Sequence, residues 1–304
     1  MIKSIGMIGR GAIGTLYGSE FRKHLSNEEM AFIVDEKRKK KYLENPLICN
    51  GKEVDFNYVS NVDEFKKVDL IFISTKLSGL QDSIHLMKEF MHENTIIVSC
   101  LNGISSENIL RKAFPNHQVV RTIVQGMDST YLNNEVYYTV LGEILFGQEL
   151  EQEKEAVIQL EDFYQRMTIP YRKCKNIVRD QWNKLMFNCG INQTCAAYYS
   201  TYGGCKHEGL LRDCFIQAMK EVMIVSNAYG IDLNEEDIQG WLNVLSTLTN
   251  EGMPSMRQDI IAHRKTELDL FSGTILPMAQ DKNIECVTLQ NLYNTIKLIE
   301  SDFI

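Results

Sequence analysis

Three groups of residues in this chain have types and spacings that could do chemistry. The first is Gly9-Arg10-Gly11-Ala12-Ile13-Gly14, entered straight from apolar residues 5–8. Glycines spaced G-x-G-x-x-G suit a strand–turn–helix junction that grips a pyrophosphate. Gly9 permits the tight turn, Gly11 lets the phosphates approach the backbone, and Gly14 lets the helix pack close to its strand. The helix N-terminus, at Ala12 and Ile13, adds unpaired N–H groups and a partial positive charge. The spacing alone is weak; its place after a strand and before a helix makes dinucleotide binding the stronger reading. Asp35 ends the second predicted strand, 21 residues after Gly14. An acidic residue there accepts hydrogen bonds from the ribose hydroxyls of NAD and repels the 2′-phosphate of NADP. Arg10, Lys37 and Arg38 oppose it, since an arginine can reach that phosphate. Position alone leans toward NADH. Lys76 and Asn102-Gly103 fall at predicted carboxyl ends of strands, where ligands of open α/β sheets gather.

The second group is Trp182-Asn-Lys-Leu-Met-Phe-Asn-Cys-Gly-Ile-Asn-Gln. Lys184, Asn188 and Asn192 are spaced i, i+4, i+8 and share one helix face among apolar neighbours. A solvent face usually carries mixed charges; a single lysine followed by two asparagines, which are poor interior helix residues, does not match one. A lysine in a partly desolvated site can serve as a proton donor near neutral pH. The third group begins at Pro254-Ser255, a helix start, and places Asp259, His263 and Glu267 at i, i+4, i+8. The plain account of that group is a cap at Ser255 and exposed ion pairs along one helix; His263 reads as surface or structural rather than catalytic.

Elements must hold these groups in place. The first half alternates apolar runs at 3–8, 30–34, 70–74, 95–99, 119–123 and 143–146 with helical patterns such as 11–25 and 80–91. That alternation favours a mostly parallel sheet with helices on both faces. Residues 136–147 read as extended strands at the far edge of the sheet. Residues 149–166 read as a charged helix and 168–172 as a short extended piece. From 177 onward the pattern is helical, with breaks at Tyr202-Gly203-Gly204, Gly230, Gly252 and Pro254. The expected division is 1–173, a dinucleotide-binding domain, and 174–304, a helical substrate and dimerisation domain.

The formal charge is −8 over 304 residues, which argues against nonspecific nucleic-acid binding and against an anionic membrane surface. The basic run Lys37-Arg38-Lys39-Lys40-Lys41 reads first as a solvated helix face. No apolar run reaches the roughly 18 residues of a membrane span. The first residues read as a strand rather than a signal peptide, so the expected address is the cytoplasm. Eight scattered cysteines without a CxxC pair read as free thiols or small apolar residues. Cys205 and His207 have no second pair to make a metal site, and no metal is expected.

Taken together these residues resemble the ketopantoate reductase (2-dehydropantoate 2-reductase) family. The resemblance runs along almost the whole chain. It is carried by the N-terminal glycine turn, Lys76, Asn102-Gly103, W-x-K-x-x-x-N-x-x-x-N from Trp182 to Asn192, Ser255-Met-x-Gln-Asp, Arg264-x-Thr-Glu-Leu-Asp and Gly273. It implies an N-terminal Rossmann domain, an all-helical C-terminal domain, an active site in the cleft between them and a possible homodimer through the helical part. The implied reaction is hydride transfer from NADPH to the keto carbon of ketopantoate, giving pantoate for pantothenate and coenzyme A synthesis. By the same resemblance Lys184 is the general acid and Glu267 orients it and binds the substrate hydroxyl. Asn188 and Asn192 bind substrate polar groups, Ser255 binds the carboxylate, and Asn102 and Lys76 sit by the nicotinamide.

Two positions depart from the family pattern. Asp35 stands where NADP-using members commonly carry a basic residue, and Val287 stands where proline is usual. The first keeps NADPH and NADH both open. It also keeps open an NAD-dependent D-2-hydroxyacid (mandelate-type) dehydrogenase acting on branched or aromatic 2-keto acids. A noncatalytic NAD(P) sensor on the same scaffold would have no need of Lys184 and Glu267.

Overall fold

A computed structural model describes residues 1–303. Its contacts divide them into two compact units. One comprises Met1–Leu101 and Ser106–Val178; the other comprises Asn102–Ser105 and residues 179 onward.

In chain order the first unit contains β1 (Ile5–Ile8), α1 (Ala12–Phe21), β2 (Met30–Ile33), α2 (Glu36–Glu44), β3 (Ile48–Cys49), β4 (Lys52–Glu53), β5 (Tyr58–Val59), β6 (Val68–Ile73), α3 (Leu80–Met87), β7 (Met91–Ser99), α4 (Ser106–Ala113), β8 (Gln118–Gln125), β9 (Thr130–Leu132), β10 (Glu135–Tyr137), β11 (Glu143–Gly147), α5 (Lys154–Arg166) and β12 (Tyr171–Lys173). Eight strands form one sheet in the order β12-β11-β8-β7-β6-β1-β2-β5. All neighbours pair in parallel except β11 against β8. Alternate side chains serve opposite faces of a strand. Leu70, Phe72, Ile96 and Val98 pack in one core with Leu16, Tyr17 and Phe21 of α1 and Phe163 and Tyr164 of α5. Ile71, Ile73 and Ile97 pack in another with Leu80, Ile84 and Met87 of α3 and Leu110 of α4. Burial on both faces explains why these strands read as unbroken apolar runs.

The expectation for residues 136–147 holds only in part. Glu143–Gly147 joins the main sheet, but inside β12 rather than at its edge, and β10 belongs to a separate four-stranded sheet, β4-β3-β10-β9. Two-residue turns build that sheet. Asn50-Gly51 (φ 48° and 75°) links β3 to β4, and Asn133-Asn134 (φ 49° and 63°) links β9 to β10. Positive φ at both central residues matches the right-handed twist of the flanking strands, which is why asparagine and glycine occupy these positions.

The helix α6 (Ile177–Ala197) begins at the end of the first unit and continues in the second. After it come α7 (Tyr202–Lys206), α8 (Leu210–Ala228), α9 (Glu235–Thr247), α10 (Ser255–Ile261), α11 (Ser272–Asp281) and α12 (Val287–Ser301). Among the described residues the second unit holds no strand. The break expected at Tyr202-Gly203-Gly204 instead lies at 198–201. Those three residues open the short helix α7, whose Tyr202 and Gly203 N–H groups donate to the carbonyls of Gly252 and Asn250. Gly190 sits mid-helix because a Cβ there would lie 2.6 Å from the Phe215 ring of α8. Val287 is the first residue of α12, a position where proline's missing N–H costs nothing. The next two N–H groups, of Thr288 and Leu289, donate to the buried Glu221 carboxylate at 2.8 Å each.

Candidate active site

The glycine turn is assembled from β1, the loop and α1. Gly9 has φ +102°, and a Cβ on it would lie 2.7 Å from the Ser74 carbonyl. A Cβ on Gly14 would lie 1.9 Å from the Gly9 carbonyl oxygen, so the helix can start this close to the strand only without a side chain. Gly11 contrasts with both: a Cβ there meets nothing within 4 Å. It is the N-cap of α1, and no side chain caps the helix. Open space beside free N–H groups at a helix start fits a pyrophosphate, so the turn passes the test for a dinucleotide. The backbone from Gly9 to Gly14, Ala12 and Ile13 included, is what would hold it.

Arg10 is placed differently from its glycine neighbours. It is only 7% exposed, and its guanidinium lies 3.6 Å from the centroid of the Tyr42 ring. It donates from Nη1 to the Tyr58 hydroxyl at 3.0 Å and from Nη2 to Asn134 Oδ1 at 2.7 Å. The Tyr131 hydroxyl donates to the same Asn134 oxygen at 3.2 Å. Burial raises Tyr42 and Tyr58 above the ordinary phenol value, although Arg10 pulls both down. Both rings therefore stay neutral at physiological pH. None of these partners was legible as functional in the sequence. The only signal was the Asn133-Asn134 dipeptide between two short extended runs.

Asp35 caps α2. Its Oδ1 accepts the Arg38 backbone N–H at 2.7 Å, and its Oδ2 accepts from the Arg38 guanidinium at 2.9 Å. Lys37, Arg38, Lys40 and Lys41 are exposed, while Lys39 is half-buried and pairs with Glu64. Lys76 is exposed after β6, just ahead of a short 3-10 turn.

In the second unit three residues from distant parts of the chain converge. Lys184 Nζ donates to Asn102 Oδ1 at 3.0 Å, and Asn102 Nδ2 donates to Glu267 Oε2 at 2.9 Å. Asn102 thus bridges the cation and the carboxylate, and all three are half-buried. Its partner Gly103 has φ +90°, and a Cβ there would approach the Leu270 carbonyl to 3.1 Å. The Asn-Gly pair therefore joins the bridging amide to a residue that must be bare.

The other members of the α6 face follow the expected spacing. Asn188 and Asn192 are 8% and 6% exposed, and Asn192 Nδ2 donates to Asn188 Oδ1 at 3.2 Å. Asn192 Oδ1 accepts from both the Ser255 hydroxyl and the Met256 N–H at 3.2 Å. Ser255, the first residue of α10, turns its hydroxyl to Asn192 instead of capping its own helix.

The expected single helix through Asp259, His263 and Glu267 does not form. α10 ends at Ile261 and His263 takes φ +48°, so the i, i+4, i+8 spacing places nothing on one face. Asp259 pairs with Arg264 at 2.9 Å, His263 packs against Phe303, and Glu267 reaches Asn102 from the segment before Leu268. Among the described residues no His, Cys, Asp and Glu set converges as a metal site. The cysteines are free thiols, with Cys195 and Cys205 sulfurs 3.9 Å apart. No described helix is long and apolar enough to cross a membrane.

Comparison with known proteins gives concordant matches. A 2-dehydropantoate 2-reductase of Streptococcus pyogenes serotype M3 is 25% identical over 274 residues, 88% of each chain. The solved structure of D-mandelate dehydrogenase with NADH and anilino(oxo)acetate superposes with a TM-score of 0.85 at 21% identity over 99% of both chains. That of a dimeric ketopantoate reductase from Staphylococcus aureus gives 0.81 at 19% over 99% of both. At such identities the structural likeness establishes the fold. Residues 5–150 match the family described as Ketopantoate reductase PanE/ApbA, and residues 176–300 match its C-terminal part. The chain belongs to the ketopantoate reductase family, whose members are NAD(P)-dependent oxidoreductases acting on 2-keto acids.

Proposed function

We propose that this enzyme reduces ketopantoate to pantoate, the step that serves pantothenate and coenzyme A synthesis, with NADH as the preferred cofactor. The observation that carries the reading is the Lys184–Asn102–Glu267 chain of hydrogen bonds beside the Asn188–Asn192–Ser255 cluster. A reduced nicotinamide, when bound, supplies the hydride to the keto carbon. The remaining chemistry belongs to the protein. Negative charge grows on the former carbonyl oxygen, and the Lys184 ammonium stabilises it and gives up a proton to make the alcohol. Asn102 occupies one Lys184 N–H and so fixes where the others point. Glu267 holds the Asn102 amide the right way round, with its oxygen toward the lysine. Asn188, Asn192 and Ser255 offer amide and hydroxyl groups to the substrate's carboxylate and hydroxyl. Lys76 and Asn102 are assigned to the nicotinamide side, and a homodimer in the manner of the Staphylococcus aureus relative completes the reading.

The NADH preference rests on Asp35 and on the engagement of Arg10 with Tyr58 and Asn134. The same observations favour a second reading, a mandelate-type D-2-hydroxyacid dehydrogenase, because D-mandelate dehydrogenase is seen with NADH. Measuring kcat/KM for ketopantoate, phenylglyoxylate and 2-ketoisovalerate, each with NADH and NADPH, decides between them. The leading reading expects ketopantoate with NADH to give the highest value. No turnover of ketopantoate with either cofactor would sink it, and no turnover of any 2-keto acid despite tight cofactor binding would point to a sensor.

A further inference from the structure

The glycine turn contains a cation, yet that cation is already spoken for. Arg10 makes two charge-assisted hydrogen bonds, to Tyr58 and Asn134, and stacks on Tyr42. Arg38, another of the cations set against Asp35, is paired with that carboxylate. Asn134 belongs to neither the strand nor the helix of the turn. It sits at the tip of the β9–β10 hairpin, in the small second sheet, with φ +63°. Its own amide nitrogen is anchored on the carbonyls of Asn45 and Pro46. The hairpin tip is therefore tied down on one side and holds Arg10 on the other.

We propose that Asn134 determines cofactor preference by clamping the Arg10 guanidinium onto Tyr42 and Tyr58, so that it is withheld from an adenosine 2′-phosphate. The proposal rests on the NADH reading above and adds a residue and a mechanism to it. To meet a phosphate, Arg10 would forfeit the Asn134 and Tyr58 bonds and the ring contact; the buried Tyr58 hydroxyl would lose its donor, while Asn134 Oδ1 would keep only the Tyr131 hydroxyl. A bidentate phosphate pair would return interactions of similar kind. The clamp is also incomplete, since Arg10 Nε is buried with no acceptor. A guanidinium held by only part of its donors has bonds to gain from phosphate once it is released.

The test uses equilibrium dissociation constants for NADH and NADPH, read from nicotinamide fluorescence in the absence of substrate. Asn134→Gly keeps the left-handed backbone while removing the amide, and Tyr58→Phe keeps the ring while removing the hydroxyl. In the double variant NADPH affinity should rise at least tenfold relative to NADH, and each single variant should show part of that shift. Adding Arg10→Ala to the double variant should return the ratio to the wild-type value. An unmoved ratio in the folded double variant, or a gain that survives Arg10→Ala, overturns the clamp. If the double variant does not fold, Tyr58→Phe alone carries the test, with about a threefold shift expected and none overturning it. Wild-type preference for NADPH would defeat the NADH reading and the clamp together. Wild-type preference for NADH with an unmoved ratio in the variants would defeat the clamp alone.

Discussion

The glycine turn and the Lys184 site are built in opposite ways. The turn is local: six consecutive residues, a strand before and a helix after, with Gly9 and Gly14 bare because a Cβ would strike backbone and Gly11 opening onto empty space. The Lys184 site is assembled: Asn102, Lys184 and Glu267 lie 82 and 165 residues apart along its two hydrogen bonds. A local motif fixes its geometry by covalent spacing and is least tolerant where a Cβ would meet backbone, as at Gly9 and Gly14. An assembled site depends on packing far along the chain, but its chemistry concentrates in a few side-chain atoms. The first should therefore fail by losing structure, and the second by losing rate.

The largest expected effect is on the assembled site. Lys184→Ala should lower kcat about 10²- to 10⁴-fold, the usual contribution of a positioned general acid, and leave the NADH dissociation constant within about twofold. Asn102→Ala should follow with a smaller loss, because hydrogen bonds to charged groups are worth about 1.5–3 kcal/mol. Stopped-flow single turnovers on both variants separate the chemical step from binding. If Lys184→Ala weakened cofactor binding as much as turnover, the lysine would be holding structure rather than a proton, and the contrast with the glycine turn would collapse.

The next pair tests the local motif against itself. Gly14→Ala puts a methyl 1.9 Å from the Gly9 carbonyl and should cost about 1–3 kcal/mol of stability, along with cofactor affinity. Gly11→Ala puts the same methyl into open space, so the thermal midpoint should hold while affinity falls. Thermal melts and cofactor titrations on the two proteins check the distinction. Equal stability losses would mean that the two glycines do the same steric work. Unchanged affinity in Gly11→Ala would move the pyrophosphate elsewhere.

The same contrast explains what could be read from the sequence. The parallel sheet was legible because strands buried on both faces leave unbroken apolar runs, as at Leu70–Phe72 and Ile96–Val98. The α6 stripe was legible because a continuous helix makes i, i+4, i+8 a statement about space. The identical spacing at Asp259, His263 and Glu267 misled, because periodicity does not reveal that the helix stops at Ile261 and the chain turns through a left-handed His263. Glu267 was reachable only through resemblance to a family. The small second sheet was missed because its strands are two or three residues long, too short for alternation to register, although Asn50-Gly51 carried a hairpin signal. With it went Asn134, and so the setting of Arg10.

The smallest effect is at Asp35, which stands between the two modes because it is a helix cap within a local motif and a candidate ligand contact as well. Asp35→Ala removes the acceptor of the Arg38 N–H and should cost about 1 kcal/mol of stability. Asp35→Ser keeps a capping oxygen, and the exposed ion pair it loses is worth only about 0.3–0.5 kcal/mol, so its melt should lie close to wild type. If the carboxylate reads the adenosine ribose, both variants should shift the NADH to NADPH affinity ratio toward NADPH by a similar factor, whatever their stabilities. If the ratio moves only in the alanine variant, it is tracking helix order at α2, and Asp35 is a cap with no part in choosing the cofactor. Preference would then rest on the Arg10 clamp, a device held from outside the strand–turn–helix unit that the glycines mark.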